Sequence, residues 1–146
     1  MKLLAVALMA GWTLAQAGAA DIKWSTDVPQ GVTKAKAENK LVMLDFTGSD
    51  WCGWCIKLNK EIFSQPEFVE YAQNNIVAVE LDFPRKKEQT AELKKANKEL
   101  QKKYKIEGYP TIIVLNGEGK EIGRLGYMEG GPKAFIKELE KLKKKA

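Results

Sequence analysis

Residues 41–55 read LVMLDFTGSDWCGWC, an apolar run that leads directly into a Cys-x-x-Cys motif. The run Leu41–Phe46 is almost uninterrupted, which is typical of a central strand that is buried on both faces. Asp50 can cap a helix that begins near Trp51, so Cys52 would lie in its first turn. A buried strand followed at once by a cysteine-bearing helix predicts an α/β fold with its chemistry where the strand passes into the helix.

The remaining sequence predicts helices and strands that alternate around this segment. The order β-α-β-α-β-α-β-β-α indicates one α/β sandwich, whose mixed central sheet is parallel in its first half and antiparallel at its end. The predicted elements are a strand at 22–24, a helix at 32–39, a helix capped by Ser64 and Glu67 that runs to about Gln73, a strand at 76–81, a lysine-rich helix, a hairpin of 111–115 and 121–127, and a last helix opened by Pro132.

Basic charge is concentrated in two stretches. Residues 85–105 contain nine basic and three acidic residues, and residues 133–145 contain six and two. Both patterns predict amphipathic helices with lysines on the solvated face, and neither has the aromatic residues that would stack on nucleic-acid bases. We therefore expect no nucleic-acid partner. The predicted apolar stripes are Leu93, Ala96, Leu100 and Tyr104 in the first helix, and Phe135, Leu139 and Leu142 in the second.

Histidine is absent and there are two cysteines in the 146 residues. Without histidine there is no Ser-His-Asp or Cys-His pair and no His-ligated zinc. Two cysteines cannot form a four-sulfur metal site or a disulfide-rich scaffold. The length suits one domain, and we expect neither a metal site nor a cofactor.

The first twenty residues have the pattern of a secretory signal peptide. Lys2 is followed by an uncharged apolar run to Leu14 and then by the small residues 17–20. An uncleaved membrane anchor is the alternative, but the apolar run is shorter than the roughly 20 residues that span a bilayer. We predict a signal peptide at 1–20, a single domain at 21–146, and a periplasmic or secreted protein.

Cys52 and Cys55 are three residues apart at a helix start, so both sulfurs lie on one helix face and can form a reversible disulfide. Cys55 continues the apolar stripe of Leu58 and Ile62 and is expected to be buried. Free backbone N–H groups and the helix dipole favour a thiolate at Cys52, which predicts that Cys52 is the nucleophile and Cys55 the resolving thiol.

Other interpretations of this pair remain open. A disulfide between residues three apart closes a very short loop and would be a weak structural staple. Two thiolates could also carry a soft metal such as Cu(I), with Met128 as a third ligand. A non-enzymatic interaction module would show neither chemistry.

Two motifs resemble those of the thioredoxin superfamily: the Cys-x-x-Cys after a buried strand, and Gly108–Thr111 before the next core strand. Residues 42–46, 50–52 and 63–66 are similar to exported thioredoxin-like reductases and to the thioredoxin-like domain of the transmembrane disulfide reductase. The resemblance covers nearly all of 21–146. It implies a three-layer sandwich, with a mixed central sheet flanked by helices.

The resemblance also implies roles for single residues. Pro110 would follow a cis peptide bond, and the backbone of Tyr109 would face the redox pair. Asp45 would be the buried acid that accepts the proton of Cys55, and its place in an apolar strand independently predicts a raised pKa. Asp45 could instead be a satisfied carboxylate without a catalytic part. The implied substrate-binding residues are Trp51, Gly53, Trp54, Tyr109 and Pro110.

The predicted reaction is dithiol–disulfide exchange. Gly53-Trp54 replaces the Gly-Pro of thioredoxin, Glu80 stands where thioredoxin has a lysine beside the buried acid, and the turn at 47–50 is one residue longer. Because histidine, a common stabiliser of very acidic thiolates, is absent, we expect a reductase or isomerase rather than an oxidant. The expected partners of this monomer are disulfide-containing exported proteins and a thiol electron donor such as a membrane disulfide reductase.

Overall fold

The computed structural model describes residues 21–146, so the predicted signal peptide at 1–20 lies outside the described residues. The described chain alternates between strands and helices, with one π-helical segment that continues a helix. In chain order the elements are β1 (Trp24–Ser25), α1 (Val28–Glu38), β2 (Leu41–Thr47), α2 (Gly53–Leu58), the π-helical segment (Asn59–Phe63), α3 (Pro66–Asn75), β3 (Ile76–Asp82), α4 (Ala91–Lys103), β4 (Thr111–Leu115), β5 (Glu121–Leu125) and α5 (Gly131–Lys143).

The strands form one mixed sheet in the order β1-β3-β2-β4-β5. β1, β3 and β2 are parallel, whereas β4 is antiparallel to β2 and β5 is antiparallel to β4. The predicted mixed sheet is confirmed, and β2 is its central strand. In the register of the sheet, Asp45 lies between Glu80 of β3 and Ile112 of β4.

All of β2 is buried, and its side chains alternate between two cores. Leu41 and Met43 pack in the layer of α3, α5 and the π-helical segment. Val42, Leu44 and Phe46 pack on the other face, with α1 and the end of α4. By the same alternation Asp45 lies on the face of Met43. The three-layer prediction is therefore confirmed.

Asp50 does not cap the helix that follows it. Cys52 is the N-cap of α2, and its Sγ accepts the backbone N–H of Cys55 at 3.2 Å. The Asp50 carboxylate accepts the backbone N–H groups of residues 85–87 instead, at 2.9, 2.7 and 2.7 Å. Those bonds, first the one from Arg85, lower the pKa of Asp50 to about 2. The predicted cap was wrong because the chain turns through residues 48–51 before the helix begins.

The capping box of Ser64 and Glu67 was also wrong. Gln65 precedes α3 without a side-chain cap, and Pro66 opens the helix. Proline has no N–H to satisfy and its φ suits the first turn, so the helix starts without a polar cap. The hydroxyl of Ser64 donates to Asn59 Oδ1 at 2.5 Å.

Two other helices begin elsewhere than the sequence pattern predicts. α1 starts at Val28, because the Asp27 carboxylate accepts the backbone N–H of Gln30 at 2.9 Å. α4 starts at Ala91 with Thr90 as its cap, so residues 85–89, of which 85–87 are basic, form a loop.

The buried position of α4 also differs from the predicted stripe. Ala96 is exposed and Asn97 is 1% exposed. The Asn97 Nδ2 donates to the backbone carbonyl of Asp82 at 3.1 Å. A polar residue therefore faces the sheet where the periodicity of apolar residues predicted alanine.

Within residues 21–146, no helix has the length and apolar character needed to cross a membrane.

Substitution should destabilise the protein at the buried Asn97 but have little effect at the neighbouring, exposed Ala96. Asn97→Ala removes a buried hydrogen bond and should lower the free energy of unfolding by about 1–2 kcal/mol, whereas Ala96→Lys should change it by less than about 0.5 kcal/mol. Urea denaturation of both variants measures this. A larger loss in Ala96→Lys would contradict the observed orientation of α4.

Candidate active site

Cys52 and Cys55 form a disulfide at the start of α2, with their Cα atoms 5.2 Å apart. Both are buried, at 7% and 5% exposure, so exposure does not distinguish them. Their positions on the helix distinguish the two cysteines. Cys52 is the N-cap, whereas Cys55 lies one turn inside the helix, in line with the buried Leu58. The Cys52 sulfur is therefore the one that faces the backbone donors of the first turn.

Asp45 lies in β2, behind this helix. Its residue exposure is 6%, and its Oδ1 has no hydrogen-bond partner among residues 21–146. Burial, and then the charges of Glu80 and Asp82, raise the pKa of Asp45 to about 8. The raised pKa expected from its apolar surroundings is thus present, so the carboxyl can hold or release a proton near neutral pH.

A cavity of about 390 Å³ is lined by both Asp45 and Cys55. Polar side chains from β2, β3, the π-helical segment and two connecting loops line it together with this buried cysteine. The lining includes Asp45, Cys55, Asn59, Lys60, Ser64 and Glu80. The arrangement gives the Cys55 sulfur and a protonatable carboxyl a common polar space.

The indole of Trp51 is fixed from several sides. Its Nε1 donates to the carbonyl of Phe83 at 2.7 Å, and the guanidinium carbon of Arg85 lies 3.8 Å from its ring centroid. Tyr109 packs edge-on against it with a centroid distance of 5.8 Å. These contacts make Trp51 a packed wall beside Cys52.

Trp54 is placed differently, since it is 57% exposed. Its ring centroid is 5.1 Å from that of Tyr127, and Lys57 Nζ lies 5.1 Å from the Trp54 ring and 4.9 Å from the Tyr127 ring. The neighbouring Ile56 is 51% exposed. The two tryptophans therefore lie in different environments: Trp51 is half-buried and packed on all sides named above, whereas Trp54 is largely exposed to solvent.

The remaining predicted residues are Gly53, between the two cysteines, and Tyr109 and Pro110, of which the tyrosine packs on Trp51. Gly53 is the first residue of α2 and is exposed. The peptide bond between Tyr109 and Pro110 is cis, and Pro110 directly precedes β4. The Tyr109 hydroxyl accepts a hydrogen bond from Gln101 Nε2 at 2.5 Å, and its ring packs on Phe83 at 5.3 Å.

The structure adds Arg85 and Tyr127 to the surroundings of the motif, and the sequence pattern did not select either. Arg85 was assigned to a basic helix, and Tyr127 to the end of a strand. Their contacts with Trp51 and Trp54 join segments that are far apart in the chain. Glu80, which the resemblance places beside the buried acid, is the register partner of Asp45 and lines the same cavity.

A model of the thioredoxin-like domain matches residues 28–143 of this chain. The chain belongs to the thioredoxin-like family. The disulfide bond reductase DsbH of Chlamydia pneumoniae is 36% identical over 122 residues, which cover 84% of this chain and 73% of that protein. The solved structure of a DsbH oxidoreductase has a TM-score of 0.81 and 35% identity, and the match covers 92% of this chain and 95% of that chain.

The match to the thiol:disulfide interchange protein DsbD of Pasteurella multocida is partial. The two are 33% identical over 112 residues, which cover 75% of this chain but 18% of that protein. The family and the Cys52–Cys55 disulfide together make this thioredoxin-like protein a thiol–disulfide oxidoreductase. Thioredoxin-like oxidoreductases need no cofactor, because the cysteine pair itself carries the electrons.

The copper-carrier alternative finds no support. None of the relatives named above carries a copper protein's name. Across the described part of the chain, no group of three His, Cys, Asp or Glu side chains is placed to hold a metal ion.

Asp45 should make folding stability depend on pH. The folded protein keeps the Asp45 proton up to about pH 8, whereas the unfolded chain loses it near pH 4. Wild-type stability should therefore fall as pH rises between these values. Asp45→Asn should remove most of this dependence of the unfolding free energy on pH. Above pH 8 its unfolding free energy should exceed that of the wild type by a few kcal/mol, measured by chemical denaturation across pH. Parallel curves for the two proteins would contradict the burial of this charge.

Gly48 should be required by the packing of Trp51. A Cβ at Gly48 would lie 2.5 Å from Trp51 Cε2, and the indole cannot move without losing its bond to Phe83. Gly48→Ala should cost about 1–3 kcal/mol of unfolding free energy and change the tryptophan fluorescence.

Gly53→Ala is the matched control for stability, because nothing lies within 4 Å of a Cβ at Gly53. Alanine also favours the helix, so this variant should be at least as stable as the wild type. Equal losses in both variants would show that Trp51 does not restrict position 48.

Proposed function

We propose that this protein reduces disulfides of exported proteins, with Cys52 as the attacking sulfur and Cys55 as the resolving sulfur. The position of Cys52 carries the proposal. Its Sγ accepts the backbone N–H of Cys55 at the helix start, where N–H donors and the helix dipole stabilise negative charge. Cys55 lies within reach of the same sulfur, since the two form a disulfide.

The reaction proceeds by two exchanges. The Cys52 thiolate attacks one sulfur of the substrate disulfide, and the other substrate sulfur leaves with the electron pair as a thiolate. Because its pKa is about 8, Asp45 first gives up its own proton to the solvent. Cys55 then gives its proton to the Asp45 carboxylate and attacks Cys52, and the second substrate sulfur leaves as a thiolate. The protein ends as the Cys52–Cys55 disulfide, and the substrate gains two electrons.

The substrate would bind across the surface formed by the two tryptophans and the proline loop. The exposed Trp54 offers an apolar face, and the packed Trp51 bounds the other side. The backbone of Tyr109, which precedes Pro110, is placed at the start of β4, where a substrate chain could pair with it in extended form. Gly53 leaves space over the helix start, since nothing in the described chain lies within 4 Å of its Cβ position.

The charges near the pair support reduction as the direction of electron flow. Strong oxidants of this kind stabilise their reduced thiolate. Here Asp45 shares a cavity with Cys55, Glu80 lines the same cavity, and the sequence has no histidine. Glu80 and Lys60 bring opposite charges to that cavity, and Asp45 holds a proton at neutral pH because its pKa is about 8, so the lining supplies no net positive charge to stabilise a thiolate. This favours a reductase. The name of the relative DsbH, a disulfide bond reductase, agrees with this direction.

The site of action would be the periplasm or the medium. The sequence of residues 1–20 has the charge and apolar pattern of a cleaved signal peptide, which leaves 21–146 as the working domain. Outside the cytosol the oxidised pair needs a dedicated electron source. We assign that role to a membrane disulfide reductase that meets this monomer through the same exposed surface.

Loss of the resolving thiol should trap the first intermediate. A Cys55→Ser variant expressed in the host should accumulate exported proteins as mixed disulfides with Cys52, because nothing then displaces them. Non-reducing gel electrophoresis, followed by release with dithiothreitol, detects these species.

Cys52→Ser is the matched control and should trap nothing above background. Equal trapping by the two variants, or none by either, would contradict the assigned roles. Wild-type protein should reduce a protein disulfide in a dithiothreitol-coupled assay, and both serine variants should lose that activity.

A further inference from the structure

Glu80 lies next to Asp45 in the sheet. The two are register partners on the parallel strands β2 and β3, so their side chains project from the same face of neighbouring strands. Within residues 76–82, Glu80 alone is half buried, and the other residues are buried. A second carboxyl group therefore adjoins the buried acid on its more accessible side.

The edge of the sheet opens at Glu80. β1 pairs with Ala78 and Val79 and then ends, so within the described chain no strand pairs with the edge of β3 opposite β2 beyond Val79. Glu80 lines the cavity of about 390 Å³ that also contains Asp45 and Cys55. It lines a second cavity of about 170 Å³ as well, together with the exposed Lys87 and Glu88. Glu80 thus stands between the redox cavity and the solvent.

Building on the proposed reduction reaction, we propose that Glu80 carries the proton of Asp45 to the solvent, which frees Asp45 to take the proton of Cys55. Because its pKa is about 8, Asp45 holds a proton at neutral pH and first passes it to the Glu80 carboxylate, and Glu80 releases it to water through the outer cavity. The Asp45 carboxylate then takes the proton of Cys55 as that sulfur attacks Cys52. Asp45 ends protonated and Glu80 ionised, as they began, and one proton has passed to the solvent. Glu80 is a positioning residue for this proton, since it acts through Asp45.

The third carboxyl on this face is already engaged by other groups. Asp82 accepts hydrogen bonds from the backbone N–H and the hydroxyl of Ser49, at 3.0 and 2.5 Å, and Lys87 Nζ lies 3.5 Å from it. Asp45 has no such partner for its Oδ1 within the described residues. We therefore place the exchange between Asp45 and its register partner Glu80.

The other charges around Glu80 favour such an exchange. Asp45 on β2, Asp82 on β3 and Glu88 in the following loop place negative charge near it, whereas Lys60 and Lys87 supply positive charge from the redox helix side and the outer loop. Burial and then the charge of Asp82 raise the pKa of Glu80, against the opposing effect of Lys87. Two adjacent carboxyl groups with raised pKa values resist simultaneous ionisation, so one proton can move between them at small cost.

The test uses the full chain in its reduced form, reacted with one equivalent of 5,5′-dithiobis(2-nitrobenzoic acid) in stopped flow. Attack by Cys52 releases the first thionitrobenzoate, and attack by Cys55 releases the second. Glu80→Gln should leave the first release unchanged and slow the second by about tenfold or more between about pH 6 and pH 8. Glu80→Asp, which keeps a carboxyl, should recover much of the rate. Glu88→Gln, the matched control in the outer cavity, should behave as the wild type.

If Glu80 acted on Asp45 only through its charge, Glu80→Gln would give a different result. Without the Glu80 charge, Asp45 would ionise at lower pH, so the profile of the second release would move to lower pH with no loss of limiting rate. That outcome, or a second release identical to wild type, would overturn the relay. A wild-type protein that never gives the second release would overturn the proposed reduction reaction itself. Thermal unfolding of each variant separates a slowed step from a damaged fold.

Discussion

Asp45 is a carboxyl group in the middle of a strand that is buried on both faces, between β3 and β4. The sheet needs that burial, because the apolar neighbours of Asp45 on β2 are shared by both cores. An ionised carboxylate is expensive in such a place unless it is paired, and Oδ1 has no partner within residues 21–146. The group therefore keeps its proton to a much higher pH than an exposed aspartate, which reduces stability when that proton is lost. The buried carboxyl lowers the stability of the fold at high pH. It also places a group that can exchange a proton near neutral pH, since its pKa is about 8, behind the redox helix.

The aromatic residues around the redox pair divide the surface into a fixed side and an open side. Trp51 is held by a hydrogen bond, a stacked guanidinium and an edge-on ring, so it positions the chain just before Cys52. Trp54 is more than half exposed and rests on Tyr127. A fixed wall preserves the geometry of the sulfur, while an exposed ring can adapt to different partners. The proposed reduction of several exported proteins would need both properties.

Sequence alone predicted the parts of the fold that depend on local pattern. The apolar runs of β2 and β3 and the turn between β4 and β5 identify the sheet, and the Cys-x-x-Cys motif identifies the chemistry. Helix starts were less predictable. The Asp50 carboxylate could accept the N–H groups at the start of α2 or those of residues 85–87, and the second set comes close only in the folded chain. The buried position of Asn97 rests on the carbonyl of Asp82, a partner from another element. Contacts of this kind, such as that of Arg85 with Trp51, join residues far apart in the chain, and local sequence patterns do not show which distant residues meet.

The carboxylate of Asp50 binds the loop of residues 85–87 through backbone N–H groups alone. Every residue type except proline offers that donor, so the attachment does not specify which side chains the loop carries. The side chain of Arg85 packs on Trp51 and that of Lys87 pairs with Asp82, so these two positions are tied to the rest of the fold. Lys86 is attached through its backbone N–H. The charge at position 86 can therefore change without rebuilding the helix that bears the cysteines, because the short turn before Cys52 holds the peptide chain and not that side chain.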